Sequence, residues 1–483
     1  MLRSCWIEND LMDISHLLSL PEGKTLEFKR DLSSPKPVLR TLVAFANTAG
    51  GSLIIGRADD GVVVGVNDVL AEEERLASLI SDNIAPAMMP EIEAITVEGK
   101  SLLLARVAHW PGPFYLKELG ATDGVYVRLG STNRKADAAM LAELERFRSN
   151  HSFDQLPCAE AGAEALDDAL IRRWFETIGK EMRTSDLESM EILVPHGSRK
   201  VVSNGGMILF GREEVRNRYF PDANVSCALF HGTTKSRFLD RKDFGGGIFG
   251  ALEEVPKFIA RNTRLAAKIE NIRRQDIPEY SLVAVREVLI NALAHADYGV
   301  TGMRLFVSIF SDRLEIQNPG MLPFGMTLED FKSGVSRVRN RVIAQVLHRL
   351  EIMERWGSGY ERIREACREG GYPEPEWQEM GMCTRVIFRP HPDVAASEPA
   401  NVPANVPVNV PVKTEGLSER QQWFMEQLGA GRKVKAADIE AQWNVVEKTA
   451  KRDIAELRKL ELIEFVGAAK TGSYRLKTSG KNR

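Results

Sequence analysis

Three polar side chains within one apolar stretch have the residue types and the spacing needed for chemistry. Glu287, Asn291 and His295 are four residues apart, so a helix places them in one line. Most of the other residues from 282 to 294 are apolar, which predicts a buried helix. Buried polar groups cost free energy unless they are satisfied. A carboxylate, an amide and an imidazole in one line therefore indicate either a ligand-binding cavity or a hydrogen-bonded packing network.

Carboxylates near the N-terminus form a second candidate set. Glu22 and Glu27 lie close to a predicted strand at 25–29, and Asp59 or Asp60 lies at the end of the next predicted strand. Three carboxylates that converge on a sheet edge could hold Mg²⁺ or Mn²⁺ for cleavage of a phosphodiester bond. The alternative is that Glu27 and Lys29 form a solvated strand face and that the aspartate only shapes a turn. The spacing by itself favours this alternative.

The elements that must position the carboxylates make up a predicted α+β domain over 1–150. Alternating apolar residues predict strands, and apolar residues at helical spacing predict helices. Asp59-Asp60-Gly61 is a hairpin signal. The predicted elements after the first strand are a helix around 38–46, strands at 52–56 and 62–66, a helix at 71–84, and strands at 91–97, 101–107 and 125–128.

The elements that must position Glu287 and Asn291 lie between 160 and 395. A connecting α+β region is predicted over 160–275 and a second domain over 276–395. The expected elements are a helix at 166–181, buried strands at 205–211 and 227–232, a helix at 251–260, the polar helix at 286–298, strands at 303–310 and 313–317, a sharp turn at 318–320, helices at 335–350 and 360–368, and a strand at 384–388. Gly357-Ser358-Gly359 comes directly before the last helix, where a glycine-flanked N-terminus offers backbone N–H groups to an anion.

A proline repeat separates these domains from the C-terminal end. Asn-Val-Pro occurs three times between 400 and 411, which predicts an extended spacer over 396–416. Residues 417–477 are expected to form three helices followed by a two-stranded hairpin. On the third helix the pattern turns four apolar residues inward, Ala450, Ile454, Leu457 and Leu460, and leaves the basic residues free to point outward.

Composition and charge restrict the class of protein. The chain of 483 residues is 43% apolar and 27% charged, as in ordinary soluble globular proteins. Five scattered cysteines without a CxxC pair argue against a disulfide framework or a zinc site and favour a reducing cytoplasm. Neither an apolar run of about 18 residues nor a secretion signal is found, which predicts no membrane association. Residues 413–483 carry 15 Lys and Arg against 10 Asp and Glu, and this basic end indicates nucleic acid.

Several N-terminal motifs resemble those of the Schlafen AlbA-type domain. The resemblance rests on 22–29 (EGKTLEFK), 44–51 (AFANTAGG), 53–56 (LIIG), Asp59-Asp60-Gly61 and 126–131 (YVRLGS), and it covers about 15–140. In vertebrate relatives, acidic residues at the positions of Glu22, Glu27 and the 59–60 pair serve metal-dependent RNA cleavage. In bacterial members the domain is usually assigned nucleic-acid or nucleotide binding. The resemblance therefore implies binding first and cleavage second.

The region 275–390 resembles the divergent GHKL-type, or histidine-kinase-like, ATPase domain. The family's Glu-x-x-x-Asn helix matches Glu287 and Asn291, which implies that Asn291 coordinates Mg²⁺ and that Glu287 orients the attacking water in a weak ATPase. Asn318 and Gly320 replace the family's Asp-x-Gly, which puts adenine selectivity in doubt. The second glycine box is matched in shortened form by 357–359. The resemblance implies ATP binding by Asn291, His295, Asn318, Gly320, Gly357, Ser358 and Gly359, with His295 more suited to orienting the loop at 296–298 than to contacting phosphate.

Residues 417–477 resemble the winged helix-turn-helix of bacterial regulators. The segment 448–453 (KTAKRD) matches the start of that family's recognition helix. Residues at such a position reach base edges in the major groove, and Lys or Arg around them hold phosphates. Contact with double-stranded DNA is therefore expected from Lys448, Thr449, Lys451 and Arg452.

Together these patterns predict an α+β multidomain protein with an AlbA-type α+β domain, a GHKL-like α/β sandwich and a C-terminal winged helix-turn-helix. The leading interpretation is a cytoplasmic, DNA-binding transcriptional regulator whose activity is tied to ATP or ADP. The two-fold symmetry of most such DNA readers favours a homodimer. The alternative is a metal-dependent nuclease, or a defence effector, in which Glu22, Glu27 and Asp60 cut RNA or single-stranded DNA.

Overall fold

The chain forms two compact units. One comprises 1–227 together with 242–395, and the other comprises 228–241 together with 396–483. The computed structural model describes residues 14–270, 273–354, 358–396, 417–429, 432, 434–443, 445–460, 462–466 and 473–476. Within these residues no helix has the length and apolar content needed to cross a membrane. The predicted Asn-Val-Pro spacer lies outside the described residues from 397 onwards.

The N-terminal part is the α+β domain that the alternating apolar pattern predicts. Its strands are β1 (Leu26–Lys29), β2 (Gly51–Ile55), β3 (Ile84–Ala85), β4 (Glu91–Val97), β5 (Lys100–Val107), β6 (Tyr115–Leu116), β7 (Tyr126–Leu129) and β8 (Thr132–Lys135). Its helices are α1 (Pro35–Thr48), α2 (Val69–Asn83), α3 (Gly120–Asp123) and α4 (Ala138–Arg148).

A four-stranded sheet carries this domain, in the order β1-β2-β5-β4. β1 runs parallel to β2, and the other two pairs are antiparallel. Leu42, Val43 and Phe45 of α1 are fully buried against Leu53 and other apolar residues of the sheet. Burial of apolar side chains is the main stabilising term, and it holds β1 and the polar residues beside it in place.

The predicted strand at 62–66 is wrong. In this segment only Val63 forms a β-bridge, with Arg57. The backbone N–H groups of both Val64 and Gly65 donate to the carbonyl of Gly56, and the Asp60 carboxylate accepts from the N–H of Val62. These local bonds close a compact loop and use the groups that a strand ladder needs.

The connecting region mixes short helices and hairpins. Phe153–Gln155 and Ala163–Ala165 are 3₁₀ turns. The predicted helix at 166–181 is shorter, because it ends at Glu176. The elements are α5 (Asp168–Glu176), α6 (Thr184–Ser189), β9 (Leu193–His196), β10 (Arg199–Val202), α7 (Asn204–Phe210), α8 (Glu213–Tyr219), β11 (Val225–Phe230), β12 (Phe238–Phe244), α9 (Gly247–Asn262), β13 (Leu265–Glu270) and β14 (Arg273–Pro278).

The segment 205–211 is a helix and its prediction as a strand is wrong. All seven residues of α7 are buried, so the sequence has no polar face from which a helical period could be read. Ser203 caps the helix, since its side chain accepts the N–H of Gly206 at 3.0 Å. A Cβ on Gly206 would lie 2.6 Å from the carbonyl oxygen of Ile192, so this contact requires glycine.

The region after 280 contributes the central strands of a six-stranded sheet with the order β12-β11-β15-β16-β18-β17. The pairs among β15 to β18 are antiparallel. β17 was not predicted, and the helix expected at 335–350 begins only at Arg341. The elements are α10 (Leu282–His295), β15 (Leu305–Ile309), β16 (Leu314–Pro319), α11 (Leu328–Lys332), α12 (Arg341–Arg349), α13 (Gly359–Gly370), β17 (Glu376–Met380), β18 (Cys383–Phe388) and α14 (Pro392–Ala396).

The C-terminal residues form three helices and a hairpin, as predicted. Ala450, Ile454 and Leu457 are buried in one apolar core, whereas Leu460 is exposed and its predicted inward position is wrong. Leu460 follows the last helical residue, so it no longer continues the inward-facing row. The elements are α15 (Glu419–Gly429), α16 (Ala436–Trp443), α17 (Glu447–Lys459), β19 (Ile463–Val466) and β20 (Ser473–Leu476).

Candidate nucleotide-binding site

The helix α10 carries the three predicted polar residues, and all three line one cavity. Its N-cap is Ser281, whose hydroxyl accepts the N–H of Ala284 at 3.4 Å. Most of its apolar residues are buried, as a helix that is apolar on nearly every face requires. Glu287 is buried, Asn291 and His295 are partly buried, and all three line the same pocket.

This pocket is an open cleft of about 1020 Å³, counting the solvent space at its mouth. One wall is aromatic: the ring centroids of Phe331 and Trp377 are 4.5 Å apart, and those of Phe331 and Tyr360 are 5.3 Å apart. Asn318 and Thr384 add polar groups from the neighbouring strands β16 and β18. A concave, mainly apolar site with a few convergent polar groups is the usual form of a small-molecule site.

The surroundings of the Glu287 carboxylate favour its protonated form. Burial raises its pKa above the usual range, and this effect outweighs the opposing influence of Arg362. The guanidinium of Arg362 lies 3.6 Å from one Glu287 oxygen and also 2.9 Å from Glu354. The Asn291 side chain also acts to lower this pKa, but by less than burial raises it. A carboxylate with a raised pKa beside an amide can orient a water molecule and accept its proton.

Gly359 packs directly against this pair. A Cβ at this position would lie 2.9 Å from Glu287 Oε1 and 3.1 Å from Asn291 Nδ2, so only glycine fits without a shift. Gly359 begins α13, and the Ser358 hydroxyl donates to Glu354 at 2.8 Å rather than to the helix end. Gly357 lies outside the described residues. Gly359 is therefore the residue of the predicted glycine box that contacts Glu287 and Asn291.

The turn expected at 318–320 begins later than predicted. Asn318 and Pro319 are the last residues of β16 and pair with Thr384 and Cys383 of β18. Gly320 makes the bend with φ +97°, where a Cβ would lie 2.9 Å from the Cβ of Asp297. Asn318 lines the pocket while its amide donates to the Pro319 carbonyl at 3.1 Å. An amide at the pocket wall can offer hydrogen bonds to a heterocyclic base.

His295 is the last of the three polar residues along α10. Burial lowers its pKa to about 4, and the nearby side chains of Arg339 and His348 act in the same direction. The imidazole is therefore neutral at physiological pH. The loop that follows is fixed by other residues, because the Tyr298 hydroxyl donates to the Leu293 carbonyl at 2.8 Å and Asp297 lies 3.2 Å from Arg339.

Each of the N-terminal carboxylates bonds to other groups of the N-terminal domain. Glu27 is buried, and its carboxylate pairs with Lys29 and with Arg128 Nη2, the latter at 2.5 Å; its expected position on a solvated face is wrong. Glu22 accepts the N–H of Phe28 at 2.9 Å. Asp60 accepts the N–H of Val62 within its turn. Across the residues that the structure describes, no group of three or more His, Cys, Asp or Glu side chains is arranged to hold a metal ion.

The structure adds residues that the sequence interpretation missed. Arg128 is fully buried and joins β7 to the backbone carbonyls of Gly23 and Leu26 as well as to Glu27. Its place in the motif 126–131 was the available signal. No sequence signal pointed to Arg362, since no local pattern pairs this residue of α13 with Glu287.

Ion pairs join the N-terminal domain to the pocket wall. Lys24 donates to both oxygens of Glu379 at 2.9 Å and to the carbonyl of Met326 at 3.2 Å. Arg339 pairs with Glu143 at 2.5 Å. Met326 lines the pocket. The segment that closes one side of the pocket is therefore anchored on the N-terminal domain.

Two family profiles match the chain. The Schlafen AlbA_2 profile matches residues 22–137. The HATPase_c_4 profile, described as "Putative ATP-dependent DNA helicase recG C-terminal", matches residues 302–388. A solved structure, the N-terminal domain of a "Putative ATP-dependent DNA Helicase RecG-related Protein" from Nitrosomonas europaea, is 32% identical; the match covers 26% of this chain and 92% of that one, with a TM-score of 0.21. This chain therefore contains a Schlafen AlbA_2 domain and a RecG-type HATPase_c_4 domain.

The remaining comparisons add little to this assignment. The DIP2311 protein from Corynebacterium diphtheriae is 18% identical, with 97% of this chain and 99% of that chain covered and a TM-score of 0.41. No curated protein matches the chain. The HATPase_c_4 match includes Asn318, Gly320, Ser358 and Gly359, whereas Glu287, Asn291 and His295 precede it and are assigned to the pocket by geometry.

Proposed function

We propose that this protein is a DNA-binding transcriptional regulator whose HATPase_c_4 domain binds ATP or ADP. The observation that carries the proposal is the pair of Glu287 and Asn291, which lines an open cleft with an aromatic wall and has Gly359 packed against both side chains. The AlbA_2 and HATPase_c_4 domains associate the chain with nucleic acid and with ATP. Regulation, rather than strand separation, is proposed because of the separate basic unit at the C-terminus.

Each pocket residue has a proposed role. Asn291 would hold Mg²⁺ through its amide oxygen, and the backbone around Ser358 and Gly359 would contact the phosphates. Asn318 would hydrogen-bond to the adenine, and the aromatic wall of Phe331 and Trp377 would exclude water. When bound, Mg²⁺ neutralises the charge of the phosphates. Glu287 would orient a water molecule, so weak ATP hydrolysis is part of the proposal.

The residues present fit such a ligand. The Glu287 carboxylate is buried at the pocket with its pKa raised, and Asn291 lines the same pocket and is partly exposed to it. A buried polar pair of this kind costs free energy unless something satisfies it. A magnesium-bound nucleotide phosphate would supply that partner for Asn291.

DNA binding is assigned to the helix α17. Lys448, Lys451 and Arg452 are exposed on it, and Thr449 is partly exposed, while its apolar residues are buried in the unit's core. Three helices followed by the β19–β20 hairpin have the element order of a winged helix-turn-helix. We assign α17 as the recognition helix, with double-stranded DNA as the partner. The proposed protein is a cytoplasmic homodimer, in which nucleotide binding changes the dimer geometry.

Asn291→Ala is expected to weaken binding of ATP or ADP with Mg²⁺ by roughly tenfold or more, because it removes the proposed metal ligand. Isothermal titration calorimetry on the full chain measures the change. Asn67→Ala is the matched control, since Asn67 is exposed and does not line the pocket. Equal affinities of the parent and of Asn291→Ala would refute the nucleotide site.

Lys451→Ala combined with Arg452→Ala is expected to weaken binding to duplex DNA and to lower the slope of log affinity against log salt by about 2, as expected for two lost phosphate contacts. Fluorescence anisotropy with a labelled duplex, at several salt concentrations, gives both quantities. Lys451 also pairs with Glu447 at 2.5 Å, so its share of the slope will be the smaller one.

The control for this variant removes the same charge from the other end of the same helix. Arg458 and Lys459 are both exposed in the last turn of α17. Arg458→Ala with Lys459→Ala is expected to leave the salt slope closer to that of the parent, since only the start of a recognition helix enters the groove. Identical losses in the two double variants would contradict the assignment of α17 as the recognition helix.

A further inference from the structure

A second cavity lies beside the nucleotide pocket and is lined by arginines. It occupies about 1060 Å³, including solvent space at its mouth, between α4 of the AlbA_2 domain and the segment that leads into α12. Its lining includes Arg146, Arg337, Arg339 and Arg341. Pro323, Arg337 and Val338 line both cavities and so form a shared wall.

Among the described residues, three of these four arginines have no carboxylate within ion-pair distance, although Arg146 acts on Glu143 over a longer distance. Arg339 pairs with Glu143 and Asp297. Among the described residues, no Asp or Glu oxygen lies within ion-pair distance of Arg146, Arg337 or Arg341. Arg341 donates instead to the Asn150 carbonyl and side chain at 2.8 and 2.6 Å, and the Arg337 guanidinium to the Phe324 carbonyl at 3.3 Å. Uncompensated cations in a concave site focus a positive potential that attracts anions.

The acidic residues of the cavity do not cancel this charge. Glu143 and Asp297 share the one guanidinium of Arg339, and burial raises the pKa of Glu143. The cavity therefore keeps a net positive charge. Guanidinium groups are planar, permanently charged donors that match the geometry of phosphate oxygens.

The rest of the lining suits the organic part of a nucleotide. The rings of Phe147 and Phe153 offer flat apolar surface, and Arg146 lies 5.6 Å from the centroid of Phe153. The Oδ1 atom of Asn340 and the Nε atom of Arg339 are buried and have no hydrogen-bond partner among the residues that the structure describes. Buried polar atoms without partners mark places where a ligand or an ordered water can bind.

We infer that this arginine-lined cavity is a second ligand site, separate from the ATP pocket, which binds a small phosphate-bearing ligand of mononucleotide size. Arg146 and Arg341 hold the phosphate, and Phe147 and Phe153 contact the base. Because Arg337 and Val338 belong to both walls, a ligand here bears directly on the shape of the ATP pocket.

The test uses the full chain and titrates inorganic pyrophosphate and AMP by calorimetry without metal ions. Arg146→Gln combined with Arg341→Gln is expected to weaken both ligands by roughly tenfold or more. Arg148→Gln combined with Arg172→Gln removes the same charge from exposed positions outside the cavity and should leave the affinities unchanged. Thermal melting of each variant checks that the fold is retained.

Asn291→Ala separates this site from the ATP pocket. It is expected to leave the pyrophosphate affinity at the parent value even if it abolishes ATP binding. Loss of pyrophosphate binding in Asn291→Ala would place the anion in the first pocket and overturn the inference. So would unchanged affinity in the Arg146→Gln, Arg341→Gln variant, or binding of a single-stranded oligonucleotide without any binding of pyrophosphate or AMP.

Discussion

Arg128→Met is expected to lower the free energy of unfolding by about 3–5 kcal/mol, the cost of removing one partner of a buried ion pair. Arg128 is 1% exposed and its guanidinium makes four contacts: with the carbonyls of Gly23 and Leu26, with Asn133 and with Glu27. Without it, Lys29 is the one ionic partner that the Glu27 carboxylate keeps among the described residues. Chemical denaturation of the full chain, following the first unfolding transition, measures the change.

Two further variants make this result specific. Glu27→Leu combined with Arg128→Met removes both charges and is expected to recover part of the lost stability, because no buried charge is left without its partner. Arg134→Met removes an exposed arginine from the neighbouring strand β8 and should have little effect. A cost below about 1 kcal/mol for Arg128→Met, or no recovery in the double variant, would show that Glu27 is solvated after all.

Loss of stability on acidification is the second large effect. The pKa of His295 is about 4 in the folded protein, well below the ordinary value of 6.5, because burial disfavours the imidazolium. A base with a lowered folded pKa stabilises the fold fully above pH 6.5 and loses that contribution as the pH falls towards 4. The loss amounts to roughly 3 kcal/mol between pH 7 and pH 4. His109, whose pKa burial also lowers to about 4, adds to the same trend.

His295→Gln isolates the contribution of His295. The difference in unfolding free energy between the parent and this variant is expected to shrink by roughly 3 kcal/mol from pH 7 to pH 4. Asp154 is present in both proteins, so its contribution to the pH dependence cancels in this difference. The pKa of Asp154 is raised by burial to about 6, and its contribution changes in the opposite direction. His16→Gln, at an exposed histidine, is the control. A difference that stays constant across this pH range would show that His295 is not held neutral by burial.

The nucleotide site and the AlbA_2 domain are physically linked in this unit. Lys24, two residues after Glu22, bonds to Glu379 and to the Met326 carbonyl beside the pocket. Arg339 bonds to Glu143 of α4 and to Asp297 of the loop after α10. If the pocket binds a nucleotide as proposed, these charged contacts connect its wall with the AlbA_2 domain. Such contacts are the physical basis expected for coupling between two sites.

Sequence patterns identified several elements that have one polar face. The strand at Leu26–Lys29, the helix Pro35–Thr48 and the three C-terminal helices all alternate between apolar and polar residues, so their period identifies them. Where every residue is buried, as in Asn204–Phe210, the period vanishes and a helix was mistaken for a strand. At 62–66 local hydrogen bonds to Gly56 overrode the strand propensity of valine.

The sequence by itself determined the polar line of Glu287, Asn291 and His295, since spacing along one helix is a local property. Only the tertiary structure decided what meets that line: Gly359 and Arg362 from α13, and an aromatic wall from 331 to 377. It also decided that Glu27 is buried against Arg128. Glu27 and Arg128 are 101 positions apart in the sequence, and Asn291 and Gly359 are 68 positions apart. Contacts at such separations follow from how the elements pack, which no local period encodes.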